Sequence, residues 1–202
     1  MSNCENGPSN KNCKYHGSSQ LYKKDGNTPV IALLGQPNSG KSTIFNMTTG
    51  SHQHVGNWPG KTVDQVDQKE GECKWNGKRL IIADLPGSYS LSAGSDEEVI
   101  TRDYIAAGNA DLVVVMADAS QLKRSLYMLA DFVGMKVPAI LVPNMIDVAK
   151  GQGIVIDTAA LSEKLGVPVV TMSAIRKKDY RVLYESIETA LTQKLKQVLF
   201  SL

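Results

Sequence analysis

The segment Gly35-Gln36-Pro37-Asn38-Ser39-Gly40-Lys41-Ser42 follows directly on the apolar run Val30–Leu34. Two glycines separated by four residues, then Lys and Ser, form a phosphate-binding pattern when a strand precedes them and a helix follows. The spelling has a chemical reason. Glycines let successive backbone N–H groups curl around an anion, Lys41 reaches the β- and γ-phosphates, and Ser42 offers a hydroxyl to Mg²⁺. Thr43 falls in the first turn of the following helix, whose N-terminus adds partial positive charge. This feature commits the chain to an α/β fold with a nucleotide phosphate at the end of a strand.

At 202 residues the chain can bury one modest core. The net charge of +2, with no stripe of Lys and Arg, gives no support to nucleic acid as a partner. Three scattered cysteines, Cys4, Cys13 and Cys73, do not make a disulfide framework and suit a reducing compartment. No apolar run approaches the roughly 18 residues that span a bilayer, and the N-terminus lacks a signal-peptide core. The sequence as it stands reads as soluble.

Residues 1–27 are rich in Asn, Ser, Gly and Lys and read as a flexible tail ahead of a single domain over 28–202 that ends in a C-terminal helix. Strands are expected at Val30–Leu34, Thr62–Trp75, Lys78–Ala83, Asp111–Met116, Ala139–Pro143 and Val167–Met172. Asn76-Gly77 between two strand-like runs signals a hairpin. Helices are expected at Lys41–Thr49, from Asp96 to Gly108 behind a Ser95 cap, at Gln121–Met135, at Thr158–Leu165 and from about Asp179 to Phe200. Apolar strands such as Leu112-Val113-Val114-Val115 belong in a parallel sheet covered on both faces. The fold expected is α/β: a mostly parallel, doubly wound, six-stranded sheet with one antiparallel edge strand. Ligands of such sheets sit beyond the carboxyl ends of the strands.

Further motifs fall at those ends. Asp84-Leu85-Pro86-Gly87 closes a strand; Asp84 can hold a Mg²⁺-bound water, and Gly87 frees an N–H for the γ-phosphate. Pro-Gly also ends ordinary strands, and the upstream loop favours the phosphate reading. Thr62, after the loop Gly50–Lys61, can ligate Mg²⁺ and contact the γ-phosphate, or simply begin a strand. Asn144-Met145-Ile146-Asp147 follows another strand. The Asp147 carboxylate can accept from N1–H and the exocyclic amine of guanine, and Asn144 can bond O6 and brace the loop. Adenine presents the opposite pattern. Ser173-Ala174 supplies a backbone contact to the base.

Taken in order, these sites describe residues 28–202 as a GTP-binding domain of the Ras-like P-loop class. A narrower resemblance lies in Gly35–Asn46, in Val55-Gly56-Asn57-Trp58-Pro59-Gly60-Lys61-Thr62-Val63 and in Asp84–Leu91, which are similar to the bacterial ferrous-iron transport protein B (FeoB) family. It runs from about Val30 to Leu195. The resemblance implies the cytosolic N-terminal part of a polytopic protein that moves Fe²⁺ inward at the bacterial inner membrane. The partner is then the permease portion of the same polypeptide. It also implies GTP or GDP with Mg²⁺ on Ser42, Thr62 and Asp84, nucleotide contact at Gly60, and catalytic contributions from Thr62 and Gly87. It implies K⁺ on Asn38 and on carbonyls of Gly56 and Trp58, in the place of an arginine finger.

Ser88 stands where many GTPases carry a water-positioning Gln, and Met145 where the general motif has Lys. Both departures imply weak affinity and slow turnover. Two other functions share the loop: a ribosome-assembly GTPase, opposed by the absence of a basic appendage, and a nucleotide sensor with negligible turnover. Cys4, Cys13 and His16 match no zinc spacing, and His52 and His54 read as solvated loop residues. An unprotected last helix and a long head would permit exchange between protomers in a homo-oligomer.

Overall fold

The computed structural model describes residues 15–16, 28–50, 69–91, 94–132, 135 and 137–200. In chain order the elements are strand β1 (Tyr15–His16), β2 (Val30–Gly35), helix α1 (Lys41–Thr49), β3 (Lys69–Trp75), β4 (Lys78–Asp84), α2 (Asp96–Ala106) and β5 (Leu112–Asp118). A single 3₁₀ turn at Ala119–Gln121 leads into α3 (Leu122–Phe132), followed by β6 (Ala139–Asn144), α4 (Ile146–Gly151), α5 (Thr158–Leu165) and α6 (Asp179–Phe200).

Five strands in the order β3-β4-β2-β5-β6 form the mixed sheet. Only β3 and β4 run antiparallel among them, joined by the expected turn with Asn76 at φ 47° and Gly77 at φ 75°. The other neighbours are parallel, with Ala32 opposite Ala83 on one side and Val113 on the other. The two-residue β1 adds to the outer edge of β3, Tyr15 opposite Gly71 and His16 opposite Glu70.

Period-two alternation sends the side chains of the central strands to two separate cores. Ile31, Leu33, Leu112, Val114 and Met116 pack with Ile44 and Phe45 of α1 and with Tyr180, Leu183, Tyr184 and Ile187 of α6. Val30, Ala32, Leu34, Val113, Val115 and Ala117 pack with Tyr104 and Ile105 of α2 and Met128, Leu129 and Phe132 of α3. Helices thus cover both faces, which explains why β2, β5 and β6 are apolar without interruption. On the α6 side, Trp75 at the end of β3 stacks on Tyr184, with ring centroids 4.5 Å apart and planes 10° from parallel. Such a pair adds about 0.5–1.5 kcal/mol beyond its buried area.

Helix ends follow the capping chemistry. The Ser95 hydroxyl accepts from Glu98 N at the start of α2, Asp157 accepts from Ala160 N at the start of α5, and Gly166 at φ 67° closes α5. Helix α3 is described over Leu122–Phe132, and Met135, expected as its last residue, is not helical.

One strand is corrected. Segment 167–172 runs beside β6 but makes only the single bridge Leu141–Val169. Its backbone still bonds β6 through Leu141 N to Pro168 O (2.9 Å), Val170 N to Leu141 O (3.0 Å) and Met172 N to Pro143 O (3.0 Å). Pro168 has no N–H to offer, and proline confines a segment to a sheet edge. The sixth strand of the sheet is therefore β1, on the opposite edge. Within the described residues no helix is long and apolar enough to cross a membrane.

Phe45 is buried at the junction of α1 with the sheet. Phe45→Ala is expected to lower the unfolding free energy by about 3–5 kcal/mol. This would be read as a lower urea midpoint at unchanged slope.

Candidate functional site

Every motif within the described residues lies where the parallel strands end. The loop after β2 passes through Asn38 at φ 65° and Gly40 at φ 96°, two left-handed residues in one turn. Ser39 N closes that turn on Gln36 O at 3.2 Å. Gly40 has no substitute here, because a Cβ would run into the Asn144 amide. Lys41, buried as the first residue of α1, donates from Nζ to Gly35 O at 2.8 Å and to Gln36 O at 3.1 Å. Burial pushes its ammonium pKa below the ordinary value, and the Asp84 charge opposes that shift. A polyanion beside Lys41 would favour the charged form in the same way.

Ser42, on the next position of α1, donates from Oγ to Asp84 Oδ2 at 3.0 Å. Asp84 is the last residue of β4, placed beside Leu33 in register. A hydroxyl and a carboxylate brought together beside the loop are the hard oxygen donors that Mg²⁺ takes alongside phosphate. Beyond Asp84, Leu85 and Pro86 are buried and Gly87 lies against the loop. A Cβ on Gly87 would come within 3.1 Å of the Pro37 backbone, so the two loops touch at that point. Ser88 N donates to Gly35 O at 3.3 Å. Ser88 itself is buried, with no hydrogen-bond partner for its Oγ among the described residues.

On the other side of the loop stands Asn144, the last residue of β6 and 2% exposed. Its Nδ2 donates to Ser39 O at 2.9 Å, and its Oδ1 accepts from Ala174 N at 2.9 Å. One side chain therefore ties the loop after β2 to the segment after 167–172. That segment is held further by the Tyr180 hydroxyl donating to Ala174 O at 2.7 Å and by Ser173 N donating to Asp179 Oδ2 at 2.8 Å.

Met145 follows at φ 60°, an uncommon conformation for a large side chain, and turns the chain directly into α4. This short helix was not anticipated from the sequence. It places Asp147 in a first helical turn, where exposed N–H groups favour a negative charge. The Ser173 hydroxyl, then the backbone N–H of Asp147 itself and the charge of Arg176, hold the Asp147 carboxyl below its ordinary pKa against a smaller opposing effect of burial. Its Oδ1 is buried and meets no hydrogen-bond donor among the described residues.

The structure thus gathers residues 35–43, Asp84–Gly87, Asn144, Met145, Asp147, Ser173 and Ala174 at one end of the sheet. Gly56, Trp58, Gly60 and Thr62 lie outside the described residues, as do His52 and His54. Among the described residues, no cluster of three or more His, Cys, Asp or Glu is arranged to hold a metal ion. Sequence reasoning missed Arg124, whose carbonyl accepts from Gln36 Nε2 at 3.2 Å and whose guanidinium lies 5.0 Å from the Tyr89 ring centroid. No local pattern signals a contact between residues so far apart in the chain. It also missed Tyr180, although a Tyr on the apolar face of a helix commonly finds an acceptor for its hydroxyl.

Asn144→Ala would leave a buried carbonyl at Ser39 and a buried N–H at Ala174 without partners. It is expected to cost about 2–3 kcal/mol in chemical denaturation. Asp147 titrates lower in the folded chain than in the unfolded one. Its contribution is therefore complete above about pH 4 and fades as pH falls through the lower native value. Asp147→Asn should flatten that acid limb of the stability curve and leave the neutral region less affected.

Residues 29–187 match the family model described as ferrous iron transport protein B. The chain is 41% identical over 163 residues to the Fe(2+) transporter FeoB of Escherichia coli K12, which covers 79% of this chain and 21% of that protein. FeoB of Salmonella typhimurium LT2 matches to the same extent. The chain thus spans about a fifth of the length of these relatives. Among solved structures, the FeoB G-domain of Methanococcus jannaschii superposes with a TM-score of 0.72 at 42% identity, covering 82% of this chain and 99% of that one. NFeoB of S. thermophilus bound to GDP.AlF4⁻ and K⁺ gives the same TM-score and identity, covering 82% of this chain and 63% of that chain. The cytosolic domain of T. maritima FeoB in its GMPPNP form also gives 0.72, at 41% identity, with 81% and 64% covered. With its P-loop fold, its ordered motifs and these matches, the chain belongs to the FeoB family and is its N-terminal G domain.

Proposed function

We propose that the domain binds GTP and GDP in the crevice between Lys41, Asp84 and Asp147 and hydrolyses GTP slowly. In the full-length protein it regulates Fe²⁺ uptake by the membrane portion of the same polypeptide, from the cytoplasmic face. The observation that carries this reading is the double brace of Asn144, which brings the phosphate loop and the base-side loops to one place. Buried Lys41 supplies charge for the β- and γ-phosphates, and release from the loop carbonyls frees its three donors. Ser42 and Asp84 hold Mg²⁺, which neutralises phosphate charge when bound. Asp147, ionised and with one carboxylate oxygen unclaimed, accepts from the guanine edge. Asn144 acts mainly by holding the loops, since both ends of its amide are engaged.

Thr62 and Gly87 contact the γ-phosphate and orient the attacking water in this reading. Ser88 in place of a Gln fits a rate near the roughly 10⁻⁴–10⁻³ s⁻¹ of unassisted GTPases. Asn38, with backbone groups of Gly56 and Trp58, holds K⁺. The S. thermophilus relative solved with GDP.AlF4⁻ and K⁺ supports this by analogy. Met145 in place of Lys, without a charged stem over the nucleotide, fits weak binding and quick release.

Titration calorimetry with Mg²⁺ tests the base reading. Guanosine di- and triphosphates should bind and adenosine nucleotides should not; equal heats for both refute it. Lys41→Ala should abolish binding. Phosphate release measured in K⁺ and in Na⁺ should be faster in K⁺, and Asn38→Ala should erase that difference while sparing affinity. No release in either salt would favour a nucleotide sensor without turnover.

A further inference from the structure

Four consecutive residues after Gly87 are fastened to the phosphate loop, to α2 and, twice, to α3. Ser88 N is bonded to Gly35 O of the phosphate loop, and the Tyr89 ring lies under the Arg124 guanidinium. Ser90 N donates to Glu98 Oε1 of α2 at 3.1 Å, and Leu91 N donates to Asp131 Oδ2 of α3 at 3.1 Å. Arg124 and Asp131 are seven residues apart on α3, two helical turns, and so share one face. Three of the four fastenings end on backbone N–H groups. The Tyr89 contact is the exception, made by side chains on a half-exposed ring.

Arg124 has a second connection that sets it apart from an ordinary surface cation. Its carbonyl receives the Gln36 side chain, the second residue of the phosphate loop. One residue of α3 thereby holds the loop with its backbone and, with its side chain, the segment that follows the Asp84–Gly87 turn. Ser88 brings no side-chain amide to steer a water, so the chemistry at this turn depends on where the Gly87 backbone stands relative to the loop. That separation is the one Arg124 spans.

We propose that Arg124 is a positioning residue for GTP hydrolysis, acting through Tyr89 to hold the Gly87-Ser88 backbone against the phosphate loop. This rests on the GTPase reading above. A cation over an exposed aromatic ring contributes an amount equivalent to about a two- to fivefold change in rate. Single-turnover and steady-state hydrolysis, together with nucleotide titration, read the effect on the whole chain in K⁺ and Mg²⁺.

Arg124→Ala should lower kcat by about two- to fivefold, with KM and GDP affinity unchanged. Arg124→Lys, which keeps the cation, should recover most of the loss, and Tyr89→Leu should match Arg124→Ala. The Arg124→Ala/Tyr89→Leu double variant should be no slower than either single one, because both remove the same contact. Tyr127→Ala, one turn along α3, should leave turnover unchanged, and the unfolding midpoint of Arg124→Ala should fall only slightly, as expected for loss of one exposed contact. Unchanged kcat in Arg124→Ala overturns the proposal, as do a multiplicative loss in the double variant and a rise in KM at constant kcat. Absence of turnover in the unsubstituted chain would overturn the GTPase reading and this proposal with it.

Discussion

The Asn144 amide is the contact on which the arrangement of loops depends. Three segments far apart in the chain, after β2, after β6 and after 167–172, must meet at one end of the sheet. None of them is in a ladder at that point. Asn144 is the last residue of β6, so its backbone is fixed by β5 while its side chain reaches outward. With Nδ2 on Ser39 O and Oδ1 on Ala174 N, it converts the rigidity of the sheet into rigidity of the loops. Buried amide bonds of this kind are worth more as constraints than as stability, since a lost partner leaves a desolvated carbonyl or N–H behind. Gly40 is a consequence of the same contact, because only a residue without Cβ lets the loop approach the Asn144 amide.

Electrostatics distribute two opposite charges around that brace. Lys41 is buried with its ammonium turned onto two loop carbonyls, and Asp84, which accepts from Ser42 Oγ, is near enough for its charge to act on Lys41. Burial alone would favour the neutral amine, and the carboxylate offsets this without removing it. Such a lysine gains from any added negative charge, which a surface lysine, already solvated, would gain far less from. At the far end Asp147 is kept ionised by Ser173 and by the start of α4. Lys41 thus places a positive charge at the loop and Asp147 a negative one at the start of α4.

Much of this could be read from the sequence because it rests on local chemistry. Loop glycines, the Ser95 cap and the Asn76-Gly77 turn depend on neighbours within a few residues, and they appear where expected. The bracing role of Asn144 was also legible, although its partners were not. What failed depended on particular exceptions. Val167–Met172 has the apolar content of a strand, but Pro168 removes a donor and pairing reduces to one bridge. Helix α4 is too short to show periodicity and is started by a left-handed Met145, which no propensity favours. The Arg124–Tyr89 contact joins residues that only the packing of α3 beside β5 makes neighbours.

Left-handed residues mark where the loops were bent to serve the crevice rather than the fold. Among the described residues, Asn38 and Met145 are the two non-glycine cases near it, and Asn76 is the third, in an ordinary hairpin where Asn-Gly is favoured. Asn tolerates this conformation because its short polar side chain can bond locally. Met145 has no such compensation, so its conformation must be imposed by neighbours on both sides. Asn144 is fixed by the brace, and Ile146 N is bonded to Met172 O at 3.3 Å. The strain at Met145 is thus sustained by the contacts that orient Asn144 and Asp147. Any relaxation of this turn would separate those two side chains, which places the strain inside the crevice's own geometry instead of at its margin.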